Sequence, residues 1–422
     1  MKRCVLFLLL ALAVSAAAQT EVQQAQQERL FSLNDLLSEA LGRSPDVLVA
    51  QKKYEAAKAR PSQESSLPDP MLSLGYTNTG NPLPFTQIGK DPLANAGVSI
   101  AQELPFPGKL KLRGQIAEQE AAAAFQDYQN TRLKVLSQIK QDYYQLHFLH
   151  KATDALDKNK ELLERFAKIA EARYSVGKAQ QQDVLKAQVE VSILLNRLRQ
   201  IEQQKQSLKA EINSLLNRRP ETPLGRPADY QKAELRTTLE ELCATANTNS
   251  PTIKREQAMV QRNQLGLNLA RRNYYPDFGV MGGYFNSGSF PAMYEFRFDV
   301  KVPLYFWRKQ RAAVQEETSN LGAARHQYEA TGQMLNFGVK DAYVIAQTAD
   351  ELAKLYSGAI LPQATLALES SVSSYQVGTV DFLTLITNLR TVLDYEVNYY
   401  EEIATYQRAL ARLEELTGRA LI

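Results

Sequence analysis

The residues with the clearest chemical potential lie around a motif that occurs twice in this chain of 422 residues. Arg173–Gly177 reads RYSVG, and Ser374–Gly378 reads SYQVG. An aspartate follows each copy, Asp183 after the first and Asp381 after the second. A carboxylate at such a position can complement the positive end of the helix that follows, or it can favour cations if it lines a pore. The sequence leaves both roles open.

The other reactive side chains form no recognisable catalytic or metal-binding motif. The three histidines are scattered and lack the spacing of a zinc site. After removal of the N-terminal segment described below, Cys243 is the single cysteine, so no intramolecular disulfide can form. Glycine-rich nucleotide-binding motifs are absent, and a net charge of +3 provides no strong field for nucleic acid. We therefore expect no enzymatic activity, no cofactor, no bound metal and no nucleic-acid partner.

The N-terminus has the pattern of a secretory signal peptide. Two basic residues precede an apolar run at 5–14, and small residues up to Ala18 provide a cleavage site. The apolar run is shorter than a membrane-spanning helix requires. The sequence therefore predicts a signal peptide at 1–18 and export of the mature chain.

The mature chain is predicted to consist of two similar halves. Leu33–Pro45 returns in the second half as Leu239–Pro251, and the glycine motif recurs in the same order relative to these segments. A repeated unit of this length is much longer than the repeats of solenoid proteins. We place the first structural repeat at 19–220, a linker at 221–238 and the second repeat at 239–422.

Each half is predicted to contain one β-hairpin, at 71–104 and at 278–302. Four segments have the composition of strands: Met71–Tyr76, Val98–Leu104, Phe278–Phe285 and Tyr294–Val302. In the last segment Tyr294, Phe296, Phe298 and Val300 alternate with charged residues, which is the period of a strand with one apolar face. This face is predicted to contact lipid, with the charged face towards water; the alternative is a soluble sheet that covers a core.

Most of the remaining sequence is predicted to be helical. Apolar residues recur every three or four positions in 108–173 and 308–375, and heptad-like seams follow both glycine motifs. Helices of about 65 residues would be rods of about 100 Å. Pro362 interrupts the second long helix and predicts either a kink or a junction between two stacked helices.

Four strands from one chain leave two sheet edges open. An open edge cannot remain in hydrocarbon, because its N–H and C=O groups have no partners there. If the strands lie in a membrane, several copies must therefore contribute to one closed sheet. A trimer would supply twelve strands, enough to enclose an aqueous lumen.

The order helix, hairpin, long helix, Tyr-x-Val-Gly turn and heptad helix, present twice, resembles the TolC-like outer membrane efflux proteins. The resemblance covers the mature chain and is most specific at RYSVGKAQQQDVLKAQ (173–188) and SYQVGTVDFLTLITNLRTVLDYE (374–396). It implies a mostly α fold with a small β part: an α-barrel of long coiled helices across the periplasm. The four strands per chain would contribute to the twelve-stranded transmembrane β-barrel of a homotrimer.

The resemblance also implies a function in export. The chain would be the outer membrane channel of a tripartite efflux system, a passive conduit fed by a periplasmic adaptor protein and an inner-membrane pump. The segment QELPFPGK (102–109) resembles the branch that serves heavy-metal cation pumps. Two alternatives remain: the same fold serving type I protein secretion, and a periplasmic coiled-coil scaffold without a pore.

The resemblance places both glycine turns at the periplasmic tip of such a channel. Residues expected to contact the adaptor are Val176, Gly177, Val377 and Gly378. Candidates for the pore constriction are Asp183, Asp381, Thr384 and Tyr375. Three copies of each carboxylate would form a cation-favouring collar, whereas the simpler role for them is charge at a helix start.

Overall fold

The elements of secondary structure occur in the same order twice along the chain. The structure, a computed structural model, describes residues 30–78, 80 and 83–421, so the predicted signal peptide lies outside the described residues. The first series is β1 (Leu30–Phe31), α1 (Leu33–Arg43), α2 (Pro45–Ser65), β2 (Met71–Thr77), β3 (Asn95–Leu104), α3 (Lys109–Ser175) and α4 (Gln181–Leu215). After β4 (Arg226–Pro227), the second series is α5 (Leu239–Asn249), α6 (Pro251–Arg272), β5 (Asp277–Asn286), β6 (Met293–Lys301), α7 (Lys309–Leu355), α8 (Leu361–Val377) and α9 (Phe382–Thr417).

The chain divides into two units. The sheet unit comprises Val49–Asn130 and Asn247–Leu335. The helical unit comprises the segment that ends at Leu48, the segment Thr131–Ala246 and the segment that begins at Asn336. The long helices α3 and α7 contribute residues to both units.

The sheet unit contains one antiparallel sheet of four strands in the order β2-β3-β5-β6. All four predicted strands are confirmed, and so are both hairpins. β3 begins at Asn95, three residues before the predicted start at Val98. The reason lies at Gly97, where a Cβ atom would come within 2.3 Å of the Tyr284 carbonyl oxygen. Glycine is a poor strand former by composition, but this close approach between strands requires it.

The end of the sheet that leads into α3 is fixed by an internal ion pair. The Lys109 side chain is almost fully buried, and its Nζ lies 2.8 Å from Oδ1 of Asp277. The same ammonium donates a hydrogen bond to the Tyr275 carbonyl. A buried cation is stable only when it is paired and hydrogen-bonded in this way. The start of α3 is therefore attached to the start of β5.

The helical unit has a core shared by α3, α4, α8 and α9. Its large apolar members include Leu149, Leu156, Phe166, Leu194, Ile201, Leu368, Leu389 and Leu393. The predicted three- and four-residue spacing in α3 is confirmed, since Ile139, Tyr143, Leu146 and Leu149 are all buried. Among the helices in the described residues, none combines the length and the apolar composition needed to cross a membrane.

Pro362 lies at a junction between two helices, as the sequence predicted. α7 ends at Leu355, a π-helical turn spans Tyr356–Ile360, and α8 begins at Leu361. Proline has no N–H group and its ring clashes with the preceding turn, so a regular α-helical ladder cannot continue through it. The wider π turn absorbs this disruption, and Pro362 becomes a first-turn residue of α8.

The segment between the two series is attached to the helices rather than loose. β4 pairs in parallel with β1 through two residue pairs. Further along, the hydroxyl of Tyr143 donates to the Ala228 carbonyl at 2.7 Å, and the Asp229 carboxylate lies 2.9 Å from both His147 and Lys151. These two partners lower the pKa of Asp229 to about 2. The segment predicted as a linker is thus held along α3.

Candidate functional site: the paired glycine turns and the apolar sheet face

Both glycine turns have the same backbone geometry. Gly177 and Gly378 have φ angles of 72° and 84°, in the left-handed region. After each glycine, the next N–H donates to a carbonyl five residues earlier: Lys178 to Arg173 at 2.8 Å, and Thr379 to Ser374 at 3.0 Å. With the glycine N–H bonded three residues back, this is the Schellman motif. The predicted left-handed turns are confirmed.

The structure brings the two turns together through Arg173. Its guanidinium lies 4.8 Å from the centre of the Tyr375 ring, and Nη1 donates to the Tyr375 carbonyl. The last turn of α3 is thereby joined to the last turn of α8. Sequence reasoning did not single out Arg173. The available signal was that the two motif copies differ at this position, with Ser374 in the second copy.

Tyr375, a predicted constriction residue, packs in the core of the helical unit. Only 5% of it is exposed, and its ring lies 5.6 Å from that of Phe382. Burial raises the pKa of Tyr375, and the nearby Asp183 carboxylate adds to this effect. The equivalent residue of the first turn, Tyr174, is 46% exposed. The tyrosine is therefore buried in the second motif and exposed in the first.

The two predicted carboxylates occupy different positions of their helices. Asp381 is the N-cap of α9, and its side chain accepts a hydrogen bond from the Thr384 N–H at 3.0 Å. Hydrogen bonding to Thr384 lowers the pKa of Asp381. In α4 the N-cap is Gln180, which makes no such side-chain bond, and Asp183 lies in the first turn. By position along the helix, Asp183 corresponds to Thr384 and Gln180 corresponds to Asp381.

Both turns expose apolar side chains. Val176 is 65% exposed and Val377 is 77% exposed, although valine is among the residues most often buried. Tyr174, two residues before Val176, and Leu383, six residues after Val377, are also about half exposed. The turns thus offer small apolar surfaces without a partner in the described residues.

Ion pairs join the helices that follow the two turns. Arg197 of α4 lies 2.8 Å from Asp394 of α9, and Arg390 of α9 lies 3.3 Å from Glu190 of α4. The charges alternate between the two helices, so the pairs fix their relative register. Isolated exposed pairs contribute little stability, and their effect here is on alignment.

The strand register extends the predicted apolar face of β6 over the whole sheet. Residues directly opposite one another on antiparallel strands lie on the same face. The face that carries the four predicted residues consists of Tyr294, Phe296, Phe298 and Val300 of β6, Phe278, Val280, Gly282 and Tyr284 of β5, Ala96, Val98, Ile100, Gln102 and Leu104 of β3, and Leu72, Leu74 and Tyr76 of β2. The opposite face carries the charged residues of β6 together with serine, glycine and acidic residues, and it also includes Met71, Met281, Phe285 and Met293.

Pairs of aromatic rings contact each other across β5 and β6 on this apolar face. Tyr284 and Tyr294 have ring centres 5.4 Å apart, and Phe278 and Phe298 have centres 5.8 Å apart. The side chains of β6 nevertheless remain largely exposed, with Phe296 at 80%. An apolar surface of this extent is typical of a contact with a partner or a membrane. Among the described residues, no group of three or more histidine, cysteine or acidic side chains is arranged to hold a metal ion.

A four-stranded sheet with one apolar face and long helices that reverse at paired glycine turns are the features expected of the class of outer membrane proteins that the sequence resembles. The sequence profile of the family described as Outer membrane efflux protein matches residues 36–218 and 242–419, so the chain belongs to this family. The predicted resemblance is confirmed. The chain is therefore an outer membrane efflux protein, and the predicted localisation to the outer membrane is confirmed.

Individual relatives agree with this assignment. The cobalt-zinc-cadmium resistance protein CzcC of Cupriavidus metallidurans is 21% identical over 398 residues, which cover 92% of this chain and 90% of that protein. The outer-membrane channel OprN superposes with a TM-score of 0.79 at 16% identity, over 92% of this chain and 89% of OprN. The outer membrane protein VceC of Vibrio cholerae gives a TM-score of 0.78 at 17% identity, over 92% and 97% of the two chains. These structures confirm the fold class.

Proposed function

We propose that three copies of this chain form the channel and that it works in a tripartite system with a periplasmic adaptor and an inner-membrane pump. The observation that supports the trimer is that the sheet has two open edges. β2 and β6 each have one edge without a strand partner in the described residues. Such edges are unfavourable in hydrocarbon and are removed when neighbouring copies pair. Three copies give twelve strands, which is wide enough for an aqueous lumen.

The proposed orientation of each strand follows from the two faces of the sheet. Tyr294, Phe296, Phe298 and Val300 face lipid, and the alternating charged residues such as Arg297 face the lumen. The support is the alternation along β6 and the continuity of the apolar face across all four strands. A soluble sheet would need a core on this face, yet the β6 side chains are exposed.

The orientation is tested by comparing Phe298→Arg with Arg297→Ala. A cation on the lipid face near the bilayer midplane costs about 2–4 kcal/mol, whereas a lumen substitution is tolerated. We expect Phe298→Arg to reduce the yield of trimers in outer membranes and Arg297→Ala to leave it near that of the parent. The yield is measured by light scattering of detergent extracts. Equal losses in the two variants, or a monomeric parent, would contradict the proposal.

In the same proposal, the two glycine turns form the periplasmic tip of the channel. Val176 and Val377 contact the adaptor through their exposed apolar surfaces, and Gly177 and Gly378 hold the turns that present them. Asp183, Asp381 and Thr384 line the constriction, where three copies of each carboxylate favour cations. Tyr375 supports this end from within the core.

The proposed cargo is heavy-metal cations. The support is the similarity to CzcC, a cobalt-zinc-cadmium resistance protein, which extends over nearly the whole of both chains. The segment 102–109, which resembles the metal-cation branch, adds a second indication. The same channel fold serving type I protein secretion is the competing function.

Deletion of the gene in its own host distinguishes the cargoes. We expect the deletion strain to lose tolerance to zinc, cobalt or cadmium while its tolerance to hydrophobic drugs and its secreted proteins stay unchanged. Restoration by the parent gene is the control. Loss of a secreted protein with normal metal tolerance would support the competing function instead.

The proposal includes the division of the chain into two structural repeats. We treat 19–220 and 239–422 as two structural repeats that contribute equivalent parts to the tunnel, joined by the linker 221–238. The repeated order of elements and the two separate family matches support this division.

A further inference from the structure

The segment that connects β6 to α7 carries an unusual combination of exposed aromatic and basic residues. We define the basic-aromatic segment as residues 304–311, with the side chains of Tyr305, Phe306, Trp307, Arg308, Lys309 and Arg311. The three aromatic residues are all more than half exposed. They contact one another edge to face, with Trp307 5.2 Å from Phe306 and 6.1 Å from Tyr305.

This segment is an ordered turn. The N–H groups of Arg308 and Lys309 both donate to the Tyr305 carbonyl, at 3.1 and 2.9 Å, and the Arg311 N–H donates to the Phe306 carbonyl. The backbone therefore fixes the aromatic and basic side chains on one short stretch. Because the turn is ordered, the exposure of the rings in the single chain does not come from an irregular loop.

The position of the segment in the sheet unit is set by the strand register. β6 ends at Lys301, which lies opposite Asp277 at the start of β5. At the same end, β3 finishes at Leu104 opposite Phe278. The apolar face of β6 thus stops one residue before Lys301, and the basic-aromatic segment follows immediately. In an outer membrane channel, the end of the strands that leads into helices lies at the periplasm-facing leaflet, where amphipathic rings collect.

The cations of the segment have no acidic partner among the residues that the structure describes. No acidic residue occurs between Asp299 and Glu316. The ion pairs of the described sheet unit use other cations, such as Lys109 and Arg262, and none uses Arg308, Lys309 or Arg311. These three residues also stand at the start of α7, where the helix dipole favours acidic side chains. Their positive charge is therefore not explained by the fold of this chain.

The first repeat provides an internal comparison. At the equivalent junction, Lys109 is buried and neutralised by Asp277. Phe106 stacks on Tyr275 with ring centres 4.6 Å apart. The first junction thus satisfies its buried cation and its aromatic ring internally, whereas the second leaves both kinds of group exposed. The difference indicates that the second junction faces a partner.

We propose that the basic-aromatic segment binds the anionic headgroups of phospholipids in the periplasm-facing leaflet of the outer membrane. The rings lie among the glycerol and upper acyl groups, and the guanidinium and ammonium groups bind the phosphates. Anionic lipid is the occupant that matches both features. At one depth of the leaflet, it offers apolar groups to the rings and negative charge to the cations. The inference rests on the membrane location of the channel and is independent of the proposed cargo.

The chain carries its own probe for the test. Trp307 is the single tryptophan of the sequence, so fluorescence reports on this segment alone. The trimer is reconstituted in phosphatidylcholine vesicles that contain a minor fraction of brominated phosphatidylglycerol or brominated phosphatidylcholine. We expect brominated phosphatidylglycerol to quench Trp307 more strongly at equal fraction, and the preference to weaken at high salt because the interaction is electrostatic.

The variant Arg308→Gln/Lys309→Gln/Arg311→Gln removes the charges and keeps the rings. Each cation near an anionic surface accounts for about a fivefold change in lipid preference, so removal of three should lower the preference by more than about fivefold. The matched control Arg199→Gln/Arg325→Gln/Lys340→Gln removes three exposed cations elsewhere and should keep the parent's preference.

Three results would overturn the proposal. The first is equal quenching by the two lipids in the parent, and the second is a lipid preference in the charge-removed variant that equals that of the parent. The third is a loss of trimers in the charge-removed variant but not in the control. The last result would mean that the cations pair with a neighbouring subunit. Arg308→Lys/Arg311→Lys keeps the charge at the segment, and retention of the lipid preference in it supports the proposal.

Discussion

The two glycine turns share one backbone and differ in nearly everything attached to it. Both are Schellman motifs with a left-handed glycine. The second turn, however, buries Tyr375, receives Arg173 from the first turn and begins its next helix with a capping aspartate. The first turn exposes Tyr174 and begins its next helix at Gln180 without a side-chain cap. The difference indicates that duplication conserves backbone geometry, while side chains divide between a fixed turn and an exposed one.

The largest expected effect comes from Gly378→Val compared with Gly177→Val. A β-branched residue at positive φ costs about 1–3 kcal/mol at either site. At Gly378 the new Cβ would touch Nη2 of Arg173 at 3.4 Å, so the two methyl groups beyond it would disturb the contact of Arg173 with Tyr375, whereas nothing lies within 4 Å at Gly177. We expect Gly378→Val to lower the thermal unfolding midpoint more and to abolish export while trimers still form.

The measurement is circular dichroism of the detergent-solubilised trimer together with an export assay. Gly322→Val is the matched control, because Gly322 lies in α7 without positive φ and with open space around its Cα. Equal losses at 177 and 378 would mean that the contact with Arg173 does not distinguish the turns.

A smaller effect is expected from removing the helix caps. Asp381→Ala should lower the unfolding midpoint because the Thr384 N–H loses its acceptor, whereas Gln180→Ala should change it little. The pKa of Asp381 is lowered in the folded state, so its stabilisation is present above the unfolded pKa and is lost as pH falls through the folded value.

The difference between the parent and Asp381→Ala should therefore decrease in acid, which unfolding scans at neutral and acidic pH can follow. Gln180→Asp sharpens the comparison, because it should stabilise the first turn in the way that Asp381 stabilises the second. A difference that persists at low pH would indicate that Asp381 acts by packing rather than as a charged cap.

The smallest effect on stability is expected from Asp183→Asn/Asp381→Asn. Asparagine caps a helix about as well as aspartate, so folding and docking should be preserved. If the carboxylates line the constriction, the cation preference in single-channel recordings should fall, because each position contributes three charges to the trimer. The single variants Asp183→Asn and Asp381→Asn show which of the two sets of three carboxylates causes the effect. Selectivity equal to that of the parent would leave both aspartates as helix-start charges only.

Much of the fold was predictable because it is encoded locally. The period-two alternation of Tyr294–Val302 gave β6, and the three- and four-residue spacing gave the long helices. The early start of β3 was missed, since Gly97 is required by the Tyr284 backbone on another strand rather than by its own neighbours. Local patterns contain no information about such a contact.

The site was predictable in position but not in its interactions. The two glycines could be found from the repeated motif, because a left-handed residue favours glycine wherever it occurs. The contact of Arg173 with Tyr375 depends on α3 and α8 ending side by side, which no spacing within the sequence expresses. The capping role of Asp381 was one of two readings, and the observed hydrogen bond to Thr384 supports it.

The central pairing of the sheet has a consequence for how the protein folds. β3 and β5 pair along nine residues, from Ala96 with Asn286 to Leu104 with Phe278, although the whole of α3 and α4 lies between them in the chain. Pairing across such a long loop is slow, because the closure entropy must be lost before any contact is gained. Each hairpin can close early by itself, but the first must wait with an open apolar edge until the second has left the translocation machinery. The rate of sheet closure, rather than helix formation, should therefore set the time during which the nascent chain is prone to aggregation.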